Sequence, residues 1–155
     1  MYRRILVPLN GTRQAEKILP HALAIARCTG ATIVVFRALE KRAEVLTGSF
    51  ESGAIGAPPP TTIADKKIVE EANRTDAYFE IVRADLQKTG VPCEFLVLEG
   101  EPKKTLKAIV EEQRIDLVAM TTSARSSWSK LFAASTADSV LHDINVPLLL
   151  LRVER

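Results

Sequence analysis

The residues best equipped for chemistry lie between Met120 and Asp138, in the run M-T-T-S-A-R-S-S-W-S-K-L-F-A-A-S-T-A-D. Hydroxyls at Thr121, Thr122, Ser123, Ser126, Ser127 and Ser129 stand beside two cations, Arg125 and Lys130. Hydroxyl, guanidinium and ammonium groups all donate hydrogen bonds, so the set suits a small anion or a phosphate. Ser135-Thr136-Ala137-Asp138 adds a capping-box pattern that opens a helix. A helix start exposes free N–H groups and a partial positive charge, which is how α/β proteins commonly hold phosphate. Plainer roles remain open for each group. Ser135 can be an N-cap and nothing more. Arg125 can be a solvated surface side chain, and the hydroxyls can satisfy the backbone of an irregular loop. Trp128 reads as a packing anchor for that loop.

Other chemistry is scarce. His21 and His142 have no Cys, Asp or His partner at metal-ligand spacing, so no metal site is expected. Glu70-Glu71 and Glu111-Glu112 read as solvated helix faces. No serine or cysteine sits at a strand-to-helix elbow with a histidine to activate it, so no catalytic residue and no enzyme is expected. Cys28 and Cys93 are expected to pack as small apolar residues. The net charge of +2 argues against nucleic acid or an anionic membrane as the main partner. Aromatics at 5% leave little for stacking on bases. The longest apolar runs, such as Val146 to Leu151, are far short of a membrane span. No apolar leader precedes the first strand, and two cysteines suit a reducing compartment, so the expected location is cytoplasmic.

The elements that must position these residues follow from hydrophobic periodicity. Arg4 to Leu9 is a short apolar strand, and Asn10-Gly11-Thr12 is a turn with Thr12 as N-cap. A helix to about Cys28 buries Ala15, Ile18, Leu19, Ala22, Leu23 and Ala26 on one stripe. Pro20 should break it after a first turn, and Gly30 should end it. Ala31 to Ala38 reads as a strand buried on both faces. A helix spans about Ile63 to Thr89, and Cys93 to Leu98 is the third strand. Pro102 opens a helix to about Arg114 that buries Leu106, Ile109 and Val110. Leu117 to Met120 is the fourth strand, the capped helix runs to about His142, and Val146 to Leu151 is the fifth strand. Strands alternate with helices, which predicts a parallel sheet with helices on both faces. The chain length of 155 residues suits one domain, 1–155. Residues 41–62, with Gly48, Gly53, Gly56 and Pro58-Pro59-Pro60, break the rhythm. That segment is either a flexible insertion or a cover over the binding face.

Four motifs in order carry a resemblance to the universal stress protein family. Ile5-Leu6-Val7-Pro8 resembles the family's opening I-L-V-P-V-D-G-S, and Glu99-Gly100-Glu101-Pro102 resembles its x-G-x-P. Asp116-Leu117-Val118-Ala119-Met120 resembles its D-L-I-V-M strand, and Val146 to Arg152 resembles its closing C-P-V-L-V-V-R. The resemblance implies a three-layer α/β/α fold with a five-stranded parallel sheet of order 3-2-1-4-5. It is the adenine nucleotide alpha hydrolase-like, universal stress protein fold. It also implies homodimers formed through the last strand, here Val146, Leu148, Leu149, Leu150 and Leu151. Family members hold ATP where Pro8 to Thr12 faces Met120 to Ser126. Their nucleotide motif is G-x-x-G, nine residues, then G-[ST]. Its places fall here on Thr121, Ala124, Ala134 and Ser135, so the spacing is intact and all three glycines are replaced.

The resemblance therefore implies a degenerate ATP site made of Pro8, Asn10, Met120, Thr121, Ala124, Arg125, Ala134, Ser135 and Thr136. Asn10 stands where the family has an acidic residue that helps place the nucleoside; asparagine still hydrogen-bonds but brings no charge. Where a replaced glycine needs left-handed backbone, a Cβ costs roughly 1–2 kcal/mol, and two such positions weaken binding about a hundredfold or more. Ala134 adds a methyl where a phosphate would approach. The expectation is a non-enzymatic stress-response protein, homodimeric, with weak or no ATP binding and unidentified protein partners. The alternative is a switch that takes ATP or AMP on the hydroxyls of 121–129 and the helix start at Ser135. No other cofactor is implied.

Overall fold

The computed structural model describes residues 1–39, 63–122 and 144–153. Strands β1 (Arg4–Pro8), β2 (Thr32–Leu39), β3 (Cys93–Glu99), β4 (Leu117–Thr122) and β5 (Leu148–Arg152) form one parallel sheet. Their order is β3-β2-β1-β4-β5, as the resemblance implied. The helices are α1 (Arg13–Glu16), α2 (Leu19–Thr29), α3 (Ile63–Gln87) and α4 (Pro102–Glu112).

Side chains alternate along each inner strand, and both faces are covered. Ile5, Val7, Ile33, Val35, Leu117 and Ala119 point to one face, with Ala15, Ile18, Ala22 and Ala26 of the α1–α2 segment and Phe79, Val82 and Leu86 of α3. Leu6, Val34, Phe36, Val118 and Met120 point to the other face, with Leu106, Ile109 and Val110 of α4 and with Ile144. The sheet is thus sandwiched between helices, which explains the continuous apolar runs of β1, β2 and β4.

Local chemistry explains most of the boundaries. Thr12 caps α1 through its Oγ1, which accepts from the Ala15 N–H at 3.2 Å. Helix α1 ends at Glu16 and α2 restarts at Leu19, with Pro20 in its first turn. The missing proline N–H is harmless there, because first-turn donors have no helical acceptor. Gly30 ends α2 in left-handed backbone, φ 72°, and its N–H bonds to the Ala26 carbonyl.

Three expectations need correction. Strand β4 runs two residues beyond Met120, through Thr122, because β5 continues to pair with it: Thr121 with Leu151 and Thr122 with Arg152. Strand β5 starts at Leu148, not Val146. Pro147 has no N–H to give a ladder, though its carbonyl accepts from Val118 N at 3.0 Å, and Val146 packs inward against the α4 side of the sheet. Cys28 is exposed, because the buried stripe of α2 is Ala22 and Ala26 and position 28 falls off it.

The amino end of the sheet is tied by charge. The Arg4 guanidinium makes a fork of hydrogen bonds to Glu94, at 2.9 and 2.6 Å, and reaches Gln113 at 3.3 Å. The Asp116 carboxylate accepts from the backbone N–H groups of Arg3 and Arg4, at 2.7 and 3.1 Å. Strands β1, β3 and the entry to β4 are therefore fixed at the end opposite the candidate site.

Candidate functional site

The sheet order reverses between β1 and β4, since the chain first moves outward to β2 and β3 and then returns to the far side of β1. Such a reversal parts the connecting segments and opens a crevice at the carboxyl ends of the strands. Its first lip is the β1–α1 turn. Pro8 is buried at the end of β1 opposite Phe36, and Leu9 N donates to the Phe36 carbonyl at 2.8 Å. Asn10 then folds its side chain onto the turn. Its Oδ1 accepts from Thr12 Oγ1 at 2.7 Å and from Thr12 N at 3.2 Å. This local ring is an Asx-type turn, and it engages the amide oxygen at the position expected to place a nucleoside. Gly11 takes φ 78°, a left-handed conformation that a side chain would strain.

The second lip begins at the end of β4, and α1 lies close to that strand. Met120 is buried, and Thr121 and Thr122 are half-buried. Thr121, expected as the first loop residue, is a strand residue. Arg114 is the non-glycine residue with positive φ among the described residues, so Thr121 carries no left-handed strain. Ala124, Arg125, Ala134, Ser135 and Thr136 lie outside the described residues, as do Ser123, Ser126, Ser127, Trp128, Ser129 and the capped helix. The 41–62 segment lies outside them too.

One group of polar side chains beside the turn did not come from reading the sequence. Arg37 follows the last β1–β2 pair, and its guanidinium lies against Gly11. A Cβ on that glycine would stand 2.7 Å from Arg37 Nη1. Arg37 acts electrostatically on Tyr78 of α3, and so does Glu16 of α1. The Tyr78 hydroxyl is buried, and the Glu16 carboxylate lies close enough to act on it. Burial, and after it Glu16, drives the phenol far above its usual pKa, while Arg37 opposes the rise. The signal was available: Arg37 is the first charge in the apolar run of β2, and it sits at the carboxyl end where a ligand crevice opens.

Elsewhere the chemistry is quiet. No cluster of three or more His, Cys, Asp or Glu able to hold a metal occurs among the described residues. Cys93 sits in a cleft with Arg83, Gln87, Val91 and Phe95 at the outer edge of β3. Its thiol donates to the Val91 carbonyl at 3.2 Å, and burial pushes its pKa up, which makes it a poor nucleophile. No helix among the described residues is long and apolar enough to cross a membrane.

A parallel sheet whose strand order reverses between β1 and β4, with helices on both faces, places the protein among the doubly wound α/β folds. The model of the universal stress protein family matches residues 1–152, and the chain belongs to that family. A universal stress protein of Synechocystis, Sll1388, is 22% identical over 97% of this chain and 98% of its own length. A universal stress protein of Thermus aquaticus is 28% identical over 98% of this chain and the whole of its own length. The solved structure of MJ0577 covers 100% of this chain and 99% of its own, at TM-score 0.75 and 17% identity. A universal stress protein family structure from Arabidopsis thaliana, solved with AMP bound, covers 98% and 92% at TM-score 0.64 and 14% identity. Others of the same fold are solved with cAMP and, from Archaeoglobus fulgidus, with dAMP, at TM-scores 0.59 and 0.58.

Proposed function

We propose that this chain is a non-enzymatic stress-response protein, one domain working as a cytoplasmic homodimer, with weak or no ATP binding. The observation that carries the reading is the β1–α1 turn. A neutral Asn10 stands where the family resemblance calls for an acid, and its amide oxygen is taken up by Thr12 rather than held toward the crevice. The replaced glycines of the 121–135 motif support it from the sequence. Dimerisation through β5 is supported by its place at the sheet edge and by Leu150, which is 42% exposed there. Stress responses would then pass through protein contacts of the dimer.

A second reading is supported by the fold: the strand order reverses between β1 and β4 as it does at a ligand crevice, and proteins of this fold are solved with AMP, cAMP and dAMP. In that reading the chain is an ATP or AMP switch that uses the hydroxyls of 121–129 and the helix start at Ser135. Nucleotide analysis separates the two. The protein is purified without added nucleotide, denatured, and the supernatant examined by mass spectrometry, and the native protein is then titrated with ATP. An empty protein with no binding below millimolar ATP is expected. Stoichiometric nucleotide or micromolar affinity would overturn the first reading and favour the switch.

A further inference from the structure

The resemblance places a nucleoside beside Asn10, and the next residue along the turn is covered by a cation. The guanidinium of Arg37 is packed against Gly11, whose missing side chain is what lets it approach. Arg37 stands at the carboxyl end of β2, on the side of β1 away from β4. It also acts on the buried hydroxyl of Tyr78 in α3, on which Glu16 of α1 acts as well. A guanidinium is permanently charged and presents several N–H donors in a plane, a geometry matched to phosphate oxygens.

We propose that Arg37 is a specificity-determining residue of the crevice: seated on Gly11, it favours a compact polyanion over a nucleoside. The proposal rests on the reading that this chain holds ATP weakly, and it names what the same crevice takes instead, a short polyphosphate. The nucleoside side of the site is where the cation sits. A nucleoside entering there brings no charge to meet it and must displace a guanidinium from its packing. A phosphate chain brings oxygens to it directly.

Inorganic tripolyphosphate and ATP share a chain of three phosphates, and tripolyphosphate bears a further ionisable oxygen where ATP bears adenosine, so the change in their affinity ratio between wild type and variant reads what Arg37 does to that choice. Both are titrated by calorimetry into the wild-type protein and into Arg37→Gln, Arg37→Ala and Arg37→Lys, each checked for wild-type circular dichroism. The wild type is expected to bind tripolyphosphate more tightly than ATP. Arg37→Gln and Arg37→Ala should lose roughly tenfold or more for tripolyphosphate, as for a charge-assisted hydrogen bond, and move the ratio toward ATP. Arg37→Lys should keep most of the preference. An unchanged ratio in both neutral variants overturns the proposal, and so does a wild type that binds no tripolyphosphate, while weak ATP binding survives either result. Tight ATP binding by the wild type would instead sink the weak-binding reading and leave the ratio to judge Arg37.

Discussion

Gly11 and Gly30 together isolate the contact between Arg37 and the β1–α1 turn. Both glycines have left-handed backbone, φ 78° and φ 72°. A Cβ on Gly30 would meet nothing within 4 Å, while one on Gly11 would stand 2.7 Å from Arg37 Nη1. Gly30→Ala therefore reports the backbone term alone: roughly 1–2 kcal/mol for the left-handed alanine, reduced by about 0.4–1 kcal/mol because alanine also restricts the unfolded chain. Gly11→Ala bears the same term and must push the guanidinium aside. The clashing atom is the far end of a flexible side chain, so it moves, and the added loss is that of its seat, about 0.5–1.5 kcal/mol if it is worth an ordinary hydrogen bond. For a chain of 155 residues, a kilocalorie lowers Tm by about 2–4 °C. Gly30→Ala should lower Tm by roughly 0–6 °C, and Gly11→Ala by about 1–6 °C more than that. Calorimetric melts of both variants, repeated in an Arg37→Ala background, close a double-mutant cycle. With the guanidinium gone, Gly11→Ala should cost no more than Gly30→Ala. An equal cost for Gly11→Ala in both backgrounds would refute the packing of Arg37 on the turn.

Three more predictions follow from the same geometry. The Arg4 fork holds Glu94 below the usual carboxylate pKa. A depressed folded pKa means stability that is present above the unfolded value, about 4.5, and is lost as pH falls through the folded one. Urea midpoints from pH 7 to 3 should therefore fall more steeply for wild type than for Glu94→Gln. The difference should be under about 1 kcal/mol, because the pair is partly exposed, and parallel curves would contradict the pairing. In the proposed dimer through β5, Leu150→Lys should convert dimer to monomer in sedimentation while keeping wild-type circular dichroism, with Tm falling only by what association contributed; a dimer that survives it does not use that part of the edge. Ala124→Gly with Ala134→Gly should raise ATP affinity in a titration, and adding Thr121→Gly should raise it no further. A large extra gain from the third glycine would contradict the strand assignment of Thr121.

The sheet was legible because its physics is repetitive. Four consecutive apolar residues in β2, Ile33 to Phe36, can be buried only between two layers, and all are fully buried. The stripe from Ala15 to Ala26 and the trio Leu106, Ile109 and Val110 fixed the helix faces for the same reason. The order of the strands was not legible from periodicity, which is blind to neighbours; it came from the family resemblance. Boundaries slipped where pairing outlasts pattern. Thr121 and Thr122 look like loop because they are polar and precede serines, yet the ladder to β5 holds them. The polar group at the crevice was missed because its members, Glu16, Arg37 and Tyr78, are far apart in sequence and each looks ordinary alone.

The place of Thr121 changes what the lost glycines mean. An extended strand residue gains nothing from glycine's freedom at positive φ. A β-branched threonine is well suited to a pleated ladder, whereas glycine there would weaken the strand by roughly 0.5–1 kcal/mol. The steric penalty assigned to the replaced glycines must therefore fall on Ala124 and Ala134, beyond the end of β4. With one position removed, the backbone cost expected from the motif drops from two left-handed residues to one, about 1–2 kcal/mol, which weakens a ligand some tenfold rather than a hundredfold. That alone is too little to turn a micromolar site into none. The weak binding proposed above therefore needs a further source in the crevice, and on the opposite lip the described residues offer two candidates: an Asn10 amide oxygen committed to Thr12, and a guanidinium resting on Gly11.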